Sequence, residues 1–324
     1  MIIAESLSKT YGPKRAVDCI SFTVAPGKVT GFLGPNGAGK STTMRMIVGL
    51  DRPTHGTVTV NGCPYAQHRS PLTEVGALLE AKAVHTGRSA ANHLRAVAAT
   101  HGFGRARIEE VIEMTGLQTV AGRRVGGFSL GMGQRLGIAV ALLGDPQTLI
   151  LDEPVNGLDP EGVLWVRNLM RELATQGRTV FLSSHLMSEM ALTADHILVI
   201  GRGRIIADAS VADIIGRSSG TTVLVRSPQA TELVDLLRGP DITATSVEAG
   251  LVEISGTTAQ VIGETAAAAG LVLHELAPRK GSLEDSYMAL TADAVEYHSA
   301  STTPATSTTD PALSAAGTVT EEQQ

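Results

Sequence analysis

The sequence predicts an α/β protein built on a doubly wound, parallel sheet, and three features carry that prediction. A glycine-rich stretch, "GPNGAGKST" from Gly34 to Thr42, lies between an apolar strand, "KVTGFL", and a helical stretch. Three later runs, "QTLILDEP", "TVFLSSH" and "HILVI", are apolar without alternation, as expected of strands covered on both faces. Helical stretches such as "EGVLWVRNLMRELATQG" separate them, which is the spacing of parallel neighbours joined by crossovers.

The elements follow in order. "MIIAESL", "AVDCISFTV" and "KVTGFL" are short strand-like stretches separated by the turns "SKTYGPKR" and "APG". After the glycine-rich loop, Met44, Ile47, Val48 and Leu50 recur at helical spacing, and "GTVTVNG" returns to strand. From Arg88 to Gln118 the period becomes that of helices, with "SAANHLRAVAATHG" and "ARIEEVIEMTG" each stopped by glycine. A second glycine-punctuated loop, "FSLGMGQRLG", runs directly into an apolar helix, a way of presenting backbone N–H groups to an anion. Beyond residues 216–220 the order of elements becomes strand "TTVLVR", helix "TELVDLLRG", strand "ITATSVEA", strand "LVEIS", helix "AQVIGETAAAAG" and strand "LVLHEL". That βαββαβ order is the ferredoxin-like split arrangement of a small α+β domain. A last helix, "SLEDSYMAL", is expected to dock back on that domain. From about His298 the chain is Ser, Thr, Ala and Pro ending in acids, a composition with too little apolar surface to offset ordering entropy, so residues 298–324 are expected to be a disordered tail.

Composition bounds the function. A chain of 324 residues accommodates about two domains on the usual prior of ~150 residues each. Aromatic residues make up only 3%, so burial rests on Ala, Val, Leu and Ile in packed layers. A net charge of −6 with both signs mixed along the chain gives no basic footprint for nucleic acid. The longest apolar run, "LGIAVALLGDPQTLIL", is broken by Gly144, Asp145 and Pro146 and falls short of the ~20 apolar residues of a spanning helix. No charged-then-apolar leader opens the sequence. Cys19 and Cys63 have neither metal-site nor disulfide-framework spacing and are expected to be free thiols in a reducing compartment.

The chemistry is carried by few residues. In "GPNGAGKST" the glycines of Gly34, Gly37 and Gly39, with Pro35, Asn36 and Ala38 between them, let the backbone approach phosphate. Lys40 is placed to neutralise the β and γ oxygens, Ser41 to hold Mg²⁺ and Thr42 to reach phosphate. "LILDEP" supplies Asp152 at a strand end for the Mg²⁺ shell and then Glu153, positioned to polarise a water, a role worth about 10²–10⁴ in rate. No guanine-reading Asn-Lys-x-Asp is present, which speaks against a GTPase. "VNGLDPEG" brings Asp159 soon after, and "VFLSSH" ends a strand with His185.

Taken in this order, these residues resemble the ATP-binding cassette ATPases, the nucleotide-binding subunits of ABC transporters, over roughly residues 1–208. The resemblance implies a RecA-like core in a domain spanning 1–217, with an N-terminal antiparallel β subdomain and a helical subdomain at about 85–140; the βαββαβ order places the small domain at 218–297. It implies that Tyr11 in "KTYG" stacks on adenine, that "GPNGAGKST" is the Walker A loop and "LILDEP" the Walker B strand. Asp159 becomes the D-loop aspartate and His185 the switch histidine that contacts the γ-phosphate. "FSLGMGQR" matches the signature loop, usually Leu-Ser-Gly-Gly-Gln, with Ser129 and Gly131 retained. In this family that loop faces the ATP of a second copy, so the resemblance implies a homodimer with ATP at both seams, driving a membrane permease.

Two departures are informative. Leu130 and Met132 replace the usual Gly and Gln, as in the drug and bacteriocin exporter branch of the daunorubicin- and bacitracin-resistance type. In "VGALLEAKAVHTG" Glu80 stands where the Q-loop glutamine completes the Mg²⁺ shell through water and touches the permease. The expectation is an ATPase subunit, with ATP and Mg²⁺, at the cytoplasmic face of the membrane, energising export by a separately encoded permease and binding no nucleic acid. A soluble ABC ATPase working on ribosomes or DNA is the alternative, but those carry two cassettes or a long coiled-coil insertion. A binding module without turnover is opposed by the intact Lys40, Asp152, Glu153 and His185.

Overall fold

The computed structural model describes residues 1–80, 84–218, 222–240, 242–279 and 281–291. Three strands, β1 (Ile2–Tyr11), β2 (Lys14–Val24) and β4 (His55–Val60), form an antiparallel sheet in the order β2-β1-β4. β1 and β2 alternate buried and open side chains, with register shifts that place Ser6 and Cys19 at positive φ. This is the expected N-terminal β subdomain. It packs on the main sheet through Phe22, Phe32 and Phe181, whose ring centroids lie 5.2–6.2 Å apart.

The main sheet has six strands in the order β5-β6-β7-β3-β8-β9. They are β3 (Val29–Leu33), β5 (Val75–Leu78), β6 (Thr148–Leu151), β7 (Thr179–Ser183), β8 (His196–Gly201) and β9 (Arg204–Ser210). β5, β6, β7, β3 and β8 run parallel and β9 closes the edge antiparallel. Every residue of β3, β6 and β7 is buried, which accounts for apolar runs without alternation. Helices α1 (Lys40–Ile47) and α2 (Pro71–Glu74) follow β3 and β4. α3 (Ala90–His101), α4 (Arg105–Met114) and α5 (Leu130–Leu142) make the helical subdomain. Ser89 caps α3 by accepting from Asn92 N–H, and Gly102 ends it in the left-handed conformation. α6 (Pro160–Thr175), α7 (Met187–Thr193) and α8 (Val211–Ser218) complete the covering layers.

The small unit contains β10 (Thr222–Arg226), α9 (Ala230–Leu236), β11 (Thr243–Glu248), β12 (Leu251–Ser255), α10 (Ala259–Ala268) and β13 (Glu275–Arg279). Its sheet order is β11-β12-β10-β13, antiparallel throughout, and that is the ferredoxin-like arrangement. One strand is displaced from its expected place. "LVLHEL" was the apolar candidate, yet Leu271 and Leu273 pack against the core of this unit ahead of β13. β13 itself carries Pro278, which is tolerated because the strand is an edge.

The last helix, α11 (Leu283–Thr291), corrects a further expectation. It does not dock on the small unit. Leu283 and Tyr287 are buried in the same core cluster as Met190 of α7, Ile197 of β8, Ala209 of β9 and Ile214 of α8. The physical reason is that the small unit's own two helices, through Leu233 and Ile262, already bury Val223, Val225 and Ile254 of its sheet. Residues 222–279 are therefore inserted between α8 and α11, two helices of the larger unit. The expected tail at 298–324 lies outside the described residues.

Truncating Leu283 to Ala should cost about 2–5 kcal/mol of the larger unit's stability. Trp165 is the only tryptophan in the chain and lies in α6, so its fluorescence reports melting of that unit. Leu283→Ala should lower this melting temperature by several degrees, at roughly 2–4 °C per kcal/mol. An unchanged Trp165 transition would assign α11 to the small unit after all.

Candidate functional site

The site lies at the carboxyl ends of β3, β6 and β7, next to one another in the sheet in the order β6-β7-β3. In an open α/β sheet this is where crossover connections diverge and leave a crevice. β3 delivers the loop Gly34–Thr42, β6 delivers Asp152 and Glu153, and β7 delivers Ser183 and the turn to His185.

The glycines of the loop answer different constraints. A β-carbon at Gly34 would overlap the backbone carbonyl of Ile200 on β8, whereas Gly37, with φ +81°, has nothing within 4 Å. Gly34 lets the loop lie against the sheet, and Gly37 supplies the left-handed turn on the open side. Asn36 is exposed and Pro35 partly so, while Ala38 is buried as a fixed point. Gly39 caps α1 at φ +111°, so the helix N-terminus and its free N–H groups follow at once.

Lys40 is 7% exposed, and its Nζ donates to the carbonyls of Gly34 at 2.6 Å and Pro35 at 3.3 Å. Burial pushes its pKa below the ordinary lysine value, opposed by the charges of Glu153 and Asp152. A cation held this way, facing acids, is prepared for the oxygens of a polyanion.

Ser41 Oγ donates to Asp152 Oδ2 at 2.7 Å. The other carboxylate oxygen, Oδ1, accepts from Ser183 Oγ, and Ser183 Oγ accepts the Glu153 N–H at 3.0 Å. Glu153 Oε2 meets His185 Nδ1 at 2.7 Å. A chain of hydrogen bonds thus runs from the phosphate loop to the histidine. Ser41 and Asp152 supply hard oxygen ligands side by side, and this donor set fits Mg²⁺. Glu80 lines the same cleft with Leu79, Leu130, Gln134, Asp152, Glu153 and Asn156.

Tyr11 ends β1 and is 45% exposed. Its hydroxyl donates to Asp51 Oδ2 at 2.8 Å, and Lys9 Nζ lies 5.0 Å from the ring centroid. Burial and then the Asp51 contact raise the phenol's pKa, and Thr42 also engages that hydroxyl. The ring is therefore fixed at the rim of the phosphate loop.

The remaining sequence candidates are placed apart from the phosphate loop, as helix caps. Ser129 caps α5 by accepting from Met132 N–H at 3.2 Å, and Asp159 caps α6 by accepting from Gly162 N–H at 2.9 Å. Gly131 packs against Gly157 and Leu158 of the turn before Asp159. Two residues escaped sequence reading. Ser183 joins Asp152 to Glu153, and Gln134 donates to the Glu153 carbonyl at 2.7 Å while only 4% exposed. The available signal was a polar residue bordering an apolar run, Ser183 after "TVFL" and Gln134 before "LGIAVALL".

A phosphate loop opening a helix, beside a strand-end Asp-Glu pair in a parallel sheet, defines a P-loop nucleoside triphosphatase. The ABC transporter family matches residues 17–156, and a domain of unknown function matches residues 221–284. The chain is 41% identical over 211 residues to the bacitracin transport ATP-binding protein BcrA of Bacillus licheniformis, covering 64% of this chain and 69% of that protein. It is 35% identical over 305 residues to the Nod factor export ATP-binding protein I of Rhizobium etli, covering 90% and 93%. A solved ATP-binding subunit of an ABC transporter matches with a TM-score of 0.62 at 27% identity, over 67% of this chain and 92% of that one. The chain belongs to the ATP-binding subunits of the ABC transporter family, and its reaction is ATP hydrolysis. Among the described residues no helix is long and apolar enough to cross a membrane.

The two loop glycines should separate in mutants. Gly34→Ala forces β3 and β8 apart and should lower both melting temperature and ATP binding. Gly37→Ala carries only the left-handed penalty of roughly 1–2 kcal/mol, so it should remain folded while binding a fluorescent ATP analogue more weakly. Equal melting temperatures for the two variants would contradict the loop geometry.

Proposed function

We propose that this subunit binds Mg·ATP at Gly34–Thr42, pairs with a second copy on doing so, and drives a separately encoded membrane permease that exports drugs, peptides or other small molecules. The observation that carries the reading is the hydrogen-bonded series Ser41, Asp152, Ser183, Glu153 and His185 beside Lys40. Lys40 exchanges its loop carbonyls for β- and γ-phosphate oxygens when the nucleotide enters. Ser41 and Asp152 would hold Mg²⁺, with Glu80 in the same cleft completing its shell, and the ion would neutralise charge on the phosphates. Glu153 accepts the proton of the attacking water, and His185 fixes the carboxylate and meets the γ-phosphate. Tyr11 offers its exposed ring to adenine.

Ser129 and the amino end of α5 then act on the ATP of the partner copy. Their support is placement: the Ser129 hydroxyl caps its own helix beside an exposed Leu130, and a helix N-terminus is suited to a γ-phosphate. Asp159 leads into α6 at the same surface. Relatives named for bacitracin transport and Nod factor export support the export direction and the permease partner, and through them a peripheral position at the cytoplasmic face. A ribosome- or DNA-directed ATPase is not favoured by these relatives.

Glu153→Gln should bind ATP with near-parental affinity and lose about 10²–10⁴ in turnover. In ATP and Mg²⁺ it should elute from a sizing column as a dimer, and near-normal turnover would sink the base assignment. Glu80→Gln should leave ATP binding intact and change Mg²⁺ dependence or permease-stimulated turnover, with Glu80→Ala more damaging. Parental behaviour of both in transport would reduce Glu80 to a solvated loop residue.

A further inference from the structure

Glu153 has φ +50°, a left-handed backbone that a residue with a β-carbon holds only when its surroundings enforce it. Three hydrogen bonds enforce it. Its N–H donates to Ser183 Oγ at 3.0 Å, and its carbonyl accepts from Asn156 N–H at 3.1 Å and Gln134 Nε2 at 2.7 Å. Gln134 is the only one of these partners that comes from the helical subdomain. It lies on α5, four residues after Leu130 and hence on the same helix face.

Leu130 makes the second contact on that face. It packs against Gly157, where φ is +75° and a β-carbon would overlap the leucine side chain. The usual glycine at position 130 would have no side chain to make this contact. Through residues 130 and 134, α5 therefore grips the segment 153–157 at both ends: at the base, and at the turn that leads to Asp159.

We propose that Gln134 is a positioning residue for ATP hydrolysis, and that Gln134 and Leu130 together join the loop facing the partner's nucleotide to the base serving the chain's own. Gln134 holds the Glu153 backbone so that the carboxylate meets His185. When a partner's γ-phosphate seats against Ser129, α5 settles, and the same movement sets Glu153 on its own chain. The two sites of the dimer are coupled through α5. This rests on the composite-site reading above.

The test uses full-length protein. Gln134→Leu keeps the side chain's size and removes the donor. The parent should show sigmoidal turnover against ATP, with a Hill coefficient above unity. Gln134→Leu should keep ATP affinity within about twofold and retain the ATP-induced dimer, while kcat falls at least about tenfold and the Hill coefficient goes to one. A folded Gln134→Leu protein with parental kcat and Hill coefficient overturns the proposal.

Leu130→Gly covers the case in which the buried change prevents folding. Leu130 is 46% exposed, so the variant should fold and lower the Hill coefficient with little effect on ATP affinity. An unchanged coefficient there overturns the coupling. Failure of the underlying reading looks different: parental turnover per chain would stay constant on dilution into monomer with a Hill coefficient of one. Gln134→Leu would then still lower kcat if it positions the base.

Discussion

The interaction on which the site depends is the hydroxyl of Ser183, which donates to the Asp152 carboxylate and accepts the N–H of Glu153. It lies at the end of β7, between the strands that deliver the acids and the phosphate loop. Because β6, β7 and β3 run parallel and are buried throughout, their ends are fixed relative to one another by the core. A single small hydroxyl there orients the two strand-end acids, Asp152 and Glu153, together. Glu153 is thereby held in a left-handed backbone, and its side chain reaches His185. Charge completes the arrangement, since the desolvated Lys40 faces these acids and a bound triphosphate would give it oxygens of full negative charge.

The parts of this site that were legible in the sequence are those encoded by local context. Strand, glycine-rich loop and helix together specify where Lys40 and Ser41 go, and a strand end specifies where Asp152 and Glu153 go. The ferredoxin-like order was legible for the same reason, as each element has its own periodicity. What escaped depends on contacts between distant segments. α11 reads as an amphipathic helix next to the small unit, and only the occupied state of that unit's core sends Leu283 and Tyr287 to α7 and α8 instead. "LVLHEL" reads as a strand because alternation alone does not say which residues will pair with β10. Gln134 reads as a polar residue near a helix start, and the acceptor that holds it buried lies 19 residues further along the chain.

The inserted unit has its ends at α8 and α11, which pack on one another and, through α11, on α7. α7 begins two residues after His185. Residues 222–279 are thus anchored, through α11, to the helix that follows His185. The other face of their sheet carries ion pairs, Arg226 with Glu248 and Glu275, and Arg279 with Glu253. The apolar side is closed by α9 and α10.

The central claim is that one catalytic centre takes residues from two copies. Mixing two disabled subunits tests it most directly. Ser129→Arg should obstruct the partner's γ-phosphate without touching its own loop, and Lys40→Ala should disable only its own loop. Each pure variant then has two damaged sites, whereas a mixed dimer has both lesions at one seam and an intact Lys40 facing an intact Ser129 at the other. The measurement is nucleotide occluded per dimer in the two pure proteins and in the mixture. The account predicts no occlusion in either pure protein and one nucleotide per mixed dimer. Full occlusion and turnover by pure Ser129→Arg, or no recovery in a mixture that demonstrably dimerises, would contradict it.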